Sequence, residues 1–180
     1  RAYRNLGKAF LVALLVIYTI LAGLFNSFLE PFVIVLTVPF SFFGVLVGLY
    51  LMGSTITLTA MMGTVALAGI VVNDALILLK FIEAHGDDDS GNHYVSLLRA
   101  IRLRVRPVLL TSLTTMVGLA PIAFEIGLSG VESFLSPMAV AIMYGLAFAT
   151  LVTLIIVPVV YLVLVDLKRT FLRGIKGLGL

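Results

Sequence analysis

The sequence predicts an all-α polytopic membrane protein: a bundle of five transmembrane helices with a short helix on the cytoplasmic surface. Three observations carry this. Of the 180 residues, 61% are hydrophobic and only 12% charged, with a mean hydropathy of +1.20. A soluble domain is nearer half apolar and a quarter charged. The apolar residues fall in separate runs near membrane-spanning length. Those runs are longer than barrel strands and do not alternate, which excludes a transmembrane sheet.

Taken in order, the first span is expected over residues 9–25, "AFLVALLVIYTILAGLF". The second covers 31–51; Pro31 suits a first helical turn, where its missing N–H costs nothing, and Pro39 is expected to interrupt it. The third covers 57–82, the fourth 107–126 and the fifth 136–165, all within a single transmembrane domain over 1–180. The connections "MGSTIT" and "GLSGVES" are short, polar and free of Lys and Arg. The long one, 83–106, contains "GDDDSGN", whose Asp87, Asp88 and Asp89 lack EF-hand spacing and read as a solvated turn. From Asn92 onward Tyr94, Leu97, Leu98 and Ile101 share one side, as in a helix lying on the membrane surface. Residue 1 is Arg and no signal peptide precedes the first span, so the chain reads as a fragment of a longer protein.

The formal charge of +3 does not point to nucleic acid, because most positives flank apolar runs and read as topology signals. Arg99, Arg102, Arg104 and Arg106 in the long loop lie on the same side as Lys168, Arg169, Arg173 and Lys176 in the tail. That side is expected to be cytoplasmic and the N-terminus outside. There is no Cys, hence no disulfide framework or thiolate metal site. His85 and His93 have no metal spacing and no nucleophile motif accompanies them, so no enzyme and no metal site are expected. Small residues mark helix packing: Gly44 and Gly48; Ala60, Thr64 and Ala68; Ala141, Gly145, Ala149 and Thr153.

Chemistry is expected at Asp74. It lies past the midpoint of the third span, where an ionised Asp costs about 2.5–3.5 kcal/mol on insertion scales. Such residues face a bundle interior or a wet cavity and mark ion or proton paths; the alternative is interhelical glue, which is also the ordinary role of its neighbour Asn73. On the fourth span Arg104, Thr111 and Thr115, spaced by seven and four, fall on one helical stripe. Arg102 and Arg106 read as membrane-surface anchors, whereas the aligned threonines make Arg104 the head of a polar track. Together these residues suggest a proton pathway across two neighbouring spans.

At these residues a family resemblance emerges. "GIVVNDALILLKF", "RLRVRPVLLTSLTTMVGLAPI", "GLAFATLVTLIIVPVVYLV" and "FLEPFVIVLTVPFSFFGVLVGL" resemble the resistance-nodulation-division (RND) efflux transporters of the acriflavine-resistance type, over about residues 9–165. The resemblance implies the last five of twelve helices, eight to twelve, with the N-terminal transmembrane half and the periplasmic domains lying elsewhere. It implies a homotrimeric proton antiporter in the bacterial inner membrane. Its partners would be the lipid bilayer, a periplasmic adaptor and an outer-membrane channel, and the proton gradient would replace any cofactor. The expected function is export of drugs or other solutes driven by the proton-motive force. A non-transporting assembly module of protein-export or lipid-handling type is the alternative. By this likeness Arg104 matches the arginine of the family's proton relay and Thr111 its threonine. Asn73 stands where drug-pump members commonly have a relay lysine, and Asp74 stands on the next position, often Asn. A positive charge is thus missing and a negative one gained beside it.

Overall fold

The computed structural model describes residues 2–25, 27–85, 93–126 and 134–177. Five helices follow one another: α1 (Ala2–Phe25), α2 (Leu29–Leu51), α3 (Leu58–His85), α4 (His93–Ala123) and α5 (Ser136–Gly177). Each contains a stretch long and apolar enough to cross a membrane, and no strand occurs among the described residues. Large apolar side chains such as Leu15, Val117 and Ile155 point outward, each more than 60% exposed. This is how a bundle solvated by hydrocarbon distributes its surface.

Two local arrangements differ from expectation. α2 runs unbroken through Pro39. Proline removes one backbone donor, but hydroxyls and neighbouring helices sustain such helices in a membrane. Here Thr37 Oγ1 donates to the Ile34 carbonyl at 2.6 Å and Ser41 Oγ to the Val38 carbonyl at 2.7 Å, both buried. The amphipathic segment expected as a separate surface helix is instead the first part of α4, which continues through Pro107 into the membrane-spanning stretch. No Gly or Pro precedes Pro107 in α4, and Leu and Arg are good helix formers, so nothing local ends the helix there. The polar turn at Asp87, Asp88 and Asp89 lies outside the described residues.

The ends are held by specific groups. Thr57 Oγ1 accepts from the Ala60 N–H at 3.1 Å, an N-cap for α3. After α2, Gly53 adopts φ +62°, and the Ser54 N–H returns to the Leu49 carbonyl at 2.9 Å. That is the left-handed cap geometry glycine permits. Buried Ser136, opening α5, donates to the Ala123 carbonyl that ends α4, at 3.2 Å.

α5 packs against α2, α3 and α4, whereas α1 sits at the edge, chiefly on α2. The close approaches are made by glycines. A Cβ on Gly44 would sit 2.5 Å from Phe148 Cβ and 2.9 Å from the Tyr144 carbonyl oxygen; one on Gly48 would strike the Tyr144 side chain. A Cβ on Gly63 would lie 2.7 Å from the Met138 carbonyl oxygen, and one on Gly145 would collide with Leu67 Cδ2. Two apolar clusters fill the packed helices, the second of them at this contact. One includes Ile34, Leu78, Leu79, Ile82 and Val157; the other Val45, Leu67, Val140 and Leu146. Lipid offers little hydrophobic drive between helices, so this dense interlocking is what associates them.

Gly63→Ala is expected to destabilise the bundle by about 1–3 kcal/mol, the usual cost of overpacking against backbone. Gly69→Ala, with nothing within 4 Å of its added Cβ, is expected to be neutral or slightly stabilising through helix propensity. Thermal unfolding in detergent, read by circular dichroism on the two variants of the complete protein, checks the contrast.

Candidate functional site

The site is the seam where α3, α4 and α5 meet. Asp74 is half-buried and lines a narrow crevice with Val71 of its own helix, Val108 of α4, and Leu146, Ala149, Thr150 and Thr153 of α5. The crevice has about 190 Å³ of empty space, but no place where a water molecule fits. Thr150 and Thr153 are themselves buried, at 5% and 3% exposure. The small Ala149 and the two threonines give the carboxyl group a lining that is mostly apolar and partly hydroxylic.

Asn73, one residue earlier and a quarter-turn round α3, is exposed on the outside of the bundle. Adjacent in sequence, the amide and the acid therefore face different surroundings. Arg104 lies on α4 one turn before Val108 and is half-buried. Its guanidinium carbon stands 4.4 Å from the centroid of the Phe81 ring of α3. Its Nε is buried without a hydrogen-bond partner, and no ion pair joins it to Asp74 among the described residues. The aromatic face is a cation–π contact, worth about 0.5–2 kcal/mol depending on desolvation. A second such contact places Lys80 Nζ 3.9 Å from the Phe25 centroid of α1.

Thr111 is exposed, and its Oγ1 donates to the Val108 carbonyl at 2.9 Å. Thr115 likewise donates to the Thr111 carbonyl at 2.9 Å, and Thr114 to Leu110 and Thr111. The α4 threonine stripe is thus bonded to its own helix, as these hydroxyls commonly are. The hydroxyl contact between helices is made instead by Ser112 Oγ and Thr150 Oγ1, 2.8 Å apart and buried, with Thr150 also donating to the Leu146 carbonyl at 2.8 Å. Of the four residues expected in the relay, the fold turns Asp74 and Arg104 inward, to neighbouring levels of one seam, and leaves Asn73 and Thr111 on outer faces.

Sequence reasoning overlooked Thr150, Ser112 and Phe81, and counted Thr153 only as a packing mark. One signal was available. Phe81 is seven residues after Asp74, hence on the same face of α3. Ser112 carried no signal, being hidden among equally polar neighbours in "TSLTT". Among the described residues, no group of three or more His, Cys, Asp or Glu could hold a metal ion.

Ser112→Ala is expected to cost about 0.5–1.5 kcal/mol by stranding half of a buried hydroxyl pair. A double-mutant cycle with Thr150→Ala should give a coupling near 0.6 kcal/mol, typical of such pairs in membranes. Denaturation of the single and double variants in detergent measures it.

With the geometry in place, comparisons with known proteins are informative. The family model described as AcrB/AcrD/AcrF matches residues 1–165. The chain is 38% identical over 169 residues to the swarming motility protein SwrC of Bacillus subtilis (strain 168), covering 93% of this chain and 16% of that protein. It is 32% identical over 163 residues to the multidrug resistance protein MdtC of Edwardsiella ictaluri (strain 93-146), covering 91% and 16%. The cobalt-zinc-cadmium resistance protein CzcA of Cupriavidus metallidurans is 32% identical over 151 residues, covering 83% and 14%. Among solved structures, a heavy metal efflux pump superposes with a TM-score of 0.74 at 30% identity, over 90% of this chain and 16% of that one. The chain therefore spans about one-sixth of the length of these relatives. A family match over most of the chain, joined to five membrane-length helices in the same arrangement as a solved efflux pump, places this chain in the AcrB/AcrD/AcrF family of RND transporters.

Proposed function

We propose that the chain forms part of the membrane motor of an RND exporter driven by the proton-motive force, with Asp74, Asn73, Arg104 and Thr111 in its coupling network. One observation carries the reading: a half-buried carboxylic acid lines a narrow three-helix crevice with no space for a water molecule, and on the next helix stands an arginine whose Nε is unpartnered and which forms no ion pair with that acid among the described residues. A neutral, protonated Asp74 is compatible with a closed, dry seam. An ionised one must be hydrated or paired, because an isolated charge there is expensive. Loss of the proton would therefore push α3 away from α4 and α5 or draw Arg104 towards the acid. Either response converts a local change of charge into a change of helix packing, the general design of such switches.

The exposed polar groups Asn73, Thr111 and Thr114 are costly on a lipid-facing surface. They fit a contact with further helices of the complete protein, since the relatives are some six times longer. In this reading the complete protein holds the N-terminal transmembrane half and the periplasmic domains. It would be a homotrimer of the bacterial inner membrane, with the N-terminus of this segment periplasmic and its C-terminus cytoplasmic. A periplasmic adaptor and an outer-membrane channel would continue the export path. The relatives' names span multidrug resistance, metal resistance and swarming motility, so the substrate class is set outside the coupling seam. Those names favour export over a non-transporting assembly module.

The test uses the complete transporter in liposomes, with ethidium and Zn²⁺ as probes. Asp74→Asn and Arg104→Ala are each expected to lower gradient-driven efflux by at least about tenfold, the effect of roughly 1.4 kcal/mol on a rate. Protein insertion and trimer content should match wild type. Undiminished efflux in both variants would remove the coupling assignment.

A further inference from the structure

We infer that Phe81 is the positioning residue for Arg104: its ring face holds the guanidinium at the α3–α4 contact, below Asp74, and so sets where the relay cation rests. The inference deepens the proposed coupling function and rests on it. Arg104 Cζ stands 4.4 Å from the Phe81 ring centroid, within cation–π range. The Nε is buried and makes no hydrogen bond. A guanidinium normally uses its planar fork to bind carboxylates or carbonyls. Here the aromatic face takes that part, and among the described residues no ion pair joins the guanidinium to Asp74.

The placement follows from helix geometry. Phe81 is seven residues beyond Asp74, so both lie on the same face of α3, about 10 Å apart along its axis. Arg104 is four residues before Val108, which lines the crevice at Asp74, so it lies one turn, about 5–6 Å, farther along α4. Side chains lean towards the N-terminus of their helix. In these antiparallel neighbours Arg104 therefore leans away from Asp74, while Phe81 leans back towards it, and the two meet between the levels. The ring thus keeps the cation near the acid and out of an ion pair with it. Ion pairing would lock the seam in one state; a lone, unheld arginine would snorkel outward. A cation–π contact is weak enough to be exchanged during turnover. Lys80, on α3 beside Phe81, stacks on a different ring, that of Phe25, and Arg102 and Arg106 of α4 are exposed.

The experiment uses the complete transporter in liposomes, with ethidium and Zn²⁺ as probes and internal pyranine reporting proton flux. Phe81→Leu keeps an apolar side chain of helix-forming type and removes the ring face; Phe81→Tyr and Phe81→Trp keep the face. The leucine variant is expected to lose about fivefold to tenfold in maximal proton-coupled rate, commensurate with one cation–π contact. The KM for either probe should stay within about twofold. Tyrosine and tryptophan should each restore at least about half of the wild-type rate. If Arg104→Ala abolishes flux while Phe81→Leu matches wild type, the positioning role is wrong and the coupling function stands. The positioning role is equally wrong if the leucine, tyrosine and tryptophan variants all fall to the same extent, because bulk rather than the π-face would then matter. If Arg104→Ala itself leaves flux undiminished, Arg104 is no relay cation and the role of Phe81 fails with it; if Asp74→Asn does so as well, the coupling function fails.

Discussion

The arrangement of this bundle depends on how closely α5 lets its neighbours approach. Gly44 and Gly48 of α2, Gly63 of α3 and Gly145 of α5 leave no room for a Cβ at the crossing points. In lipid, where apolar side chains gain little by leaving their solvent, such backbone proximity supplies the packing that holds helices together. It also has a consequence for chemistry. Bringing α5 this near to α3 presses Ala149, Thr150 and Thr153 against the face that carries Asp74. A looser bundle would surround the acid with lipid or water. This one sets hydroxyls and methyl groups against one side of the half-buried acid, in a crevice too narrow for a water molecule.

A dry seam around an ionisable group is not a comfortable arrangement, and that makes it useful. The neighbouring levels separate three tasks. Asp74 supplies the titratable group, Ser112 and Thr150 tie α4 to α5 with a buried hydroxyl pair, and Phe81 carries the guanidinium of Arg104. The hydroxyl pair is neutral and keeps two helices in register whatever the charge on the acid. The acid and the arginine are the elements whose interaction can change. In the proposed motor, rigid contact on one side and changeable charge on the other would let a proton move one helix relative to its neighbours.

Much of the architecture is legible in the residues, for reasons particular to membranes. A helix crossing lipid needs about twenty apolar residues, and that requirement exposes each of the five spans. The stripes at Gly44–Gly48 and Ala141–Thr153 were readable as contacts because small residues at that spacing have few other uses in lipid. Prolines were less informative: Pro39 looked like an interruption, yet α2 passes through it, because burial against α5 outweighs one lost hydrogen bond. The site was legible only in part. Asp74 stood out by its cost in an apolar run. Which way Asn73 and Thr111 faced depended on the rotation of α3 and α4 against α5, which periodicity alone does not fix. Of the residues that meet Asp74 across the seam, Ala149 and Thr153 were legible only as packing marks and Thr150 not at all, since small residues look alike until a partner helix is set against them.

The central claim is that Asp74 gains and loses a proton as part of the working cycle. Isotope-edited infrared difference spectroscopy on the complete transporter in bilayers, with ¹³C-labelled aspartate, reads this directly. The predicted result is a protonated-carboxyl band that is absent from Asp74→Asn and that appears and disappears over the pH range in which export varies. A band assigned to Asp74 that stays constant across that range, while export rises and falls, would contradict this role.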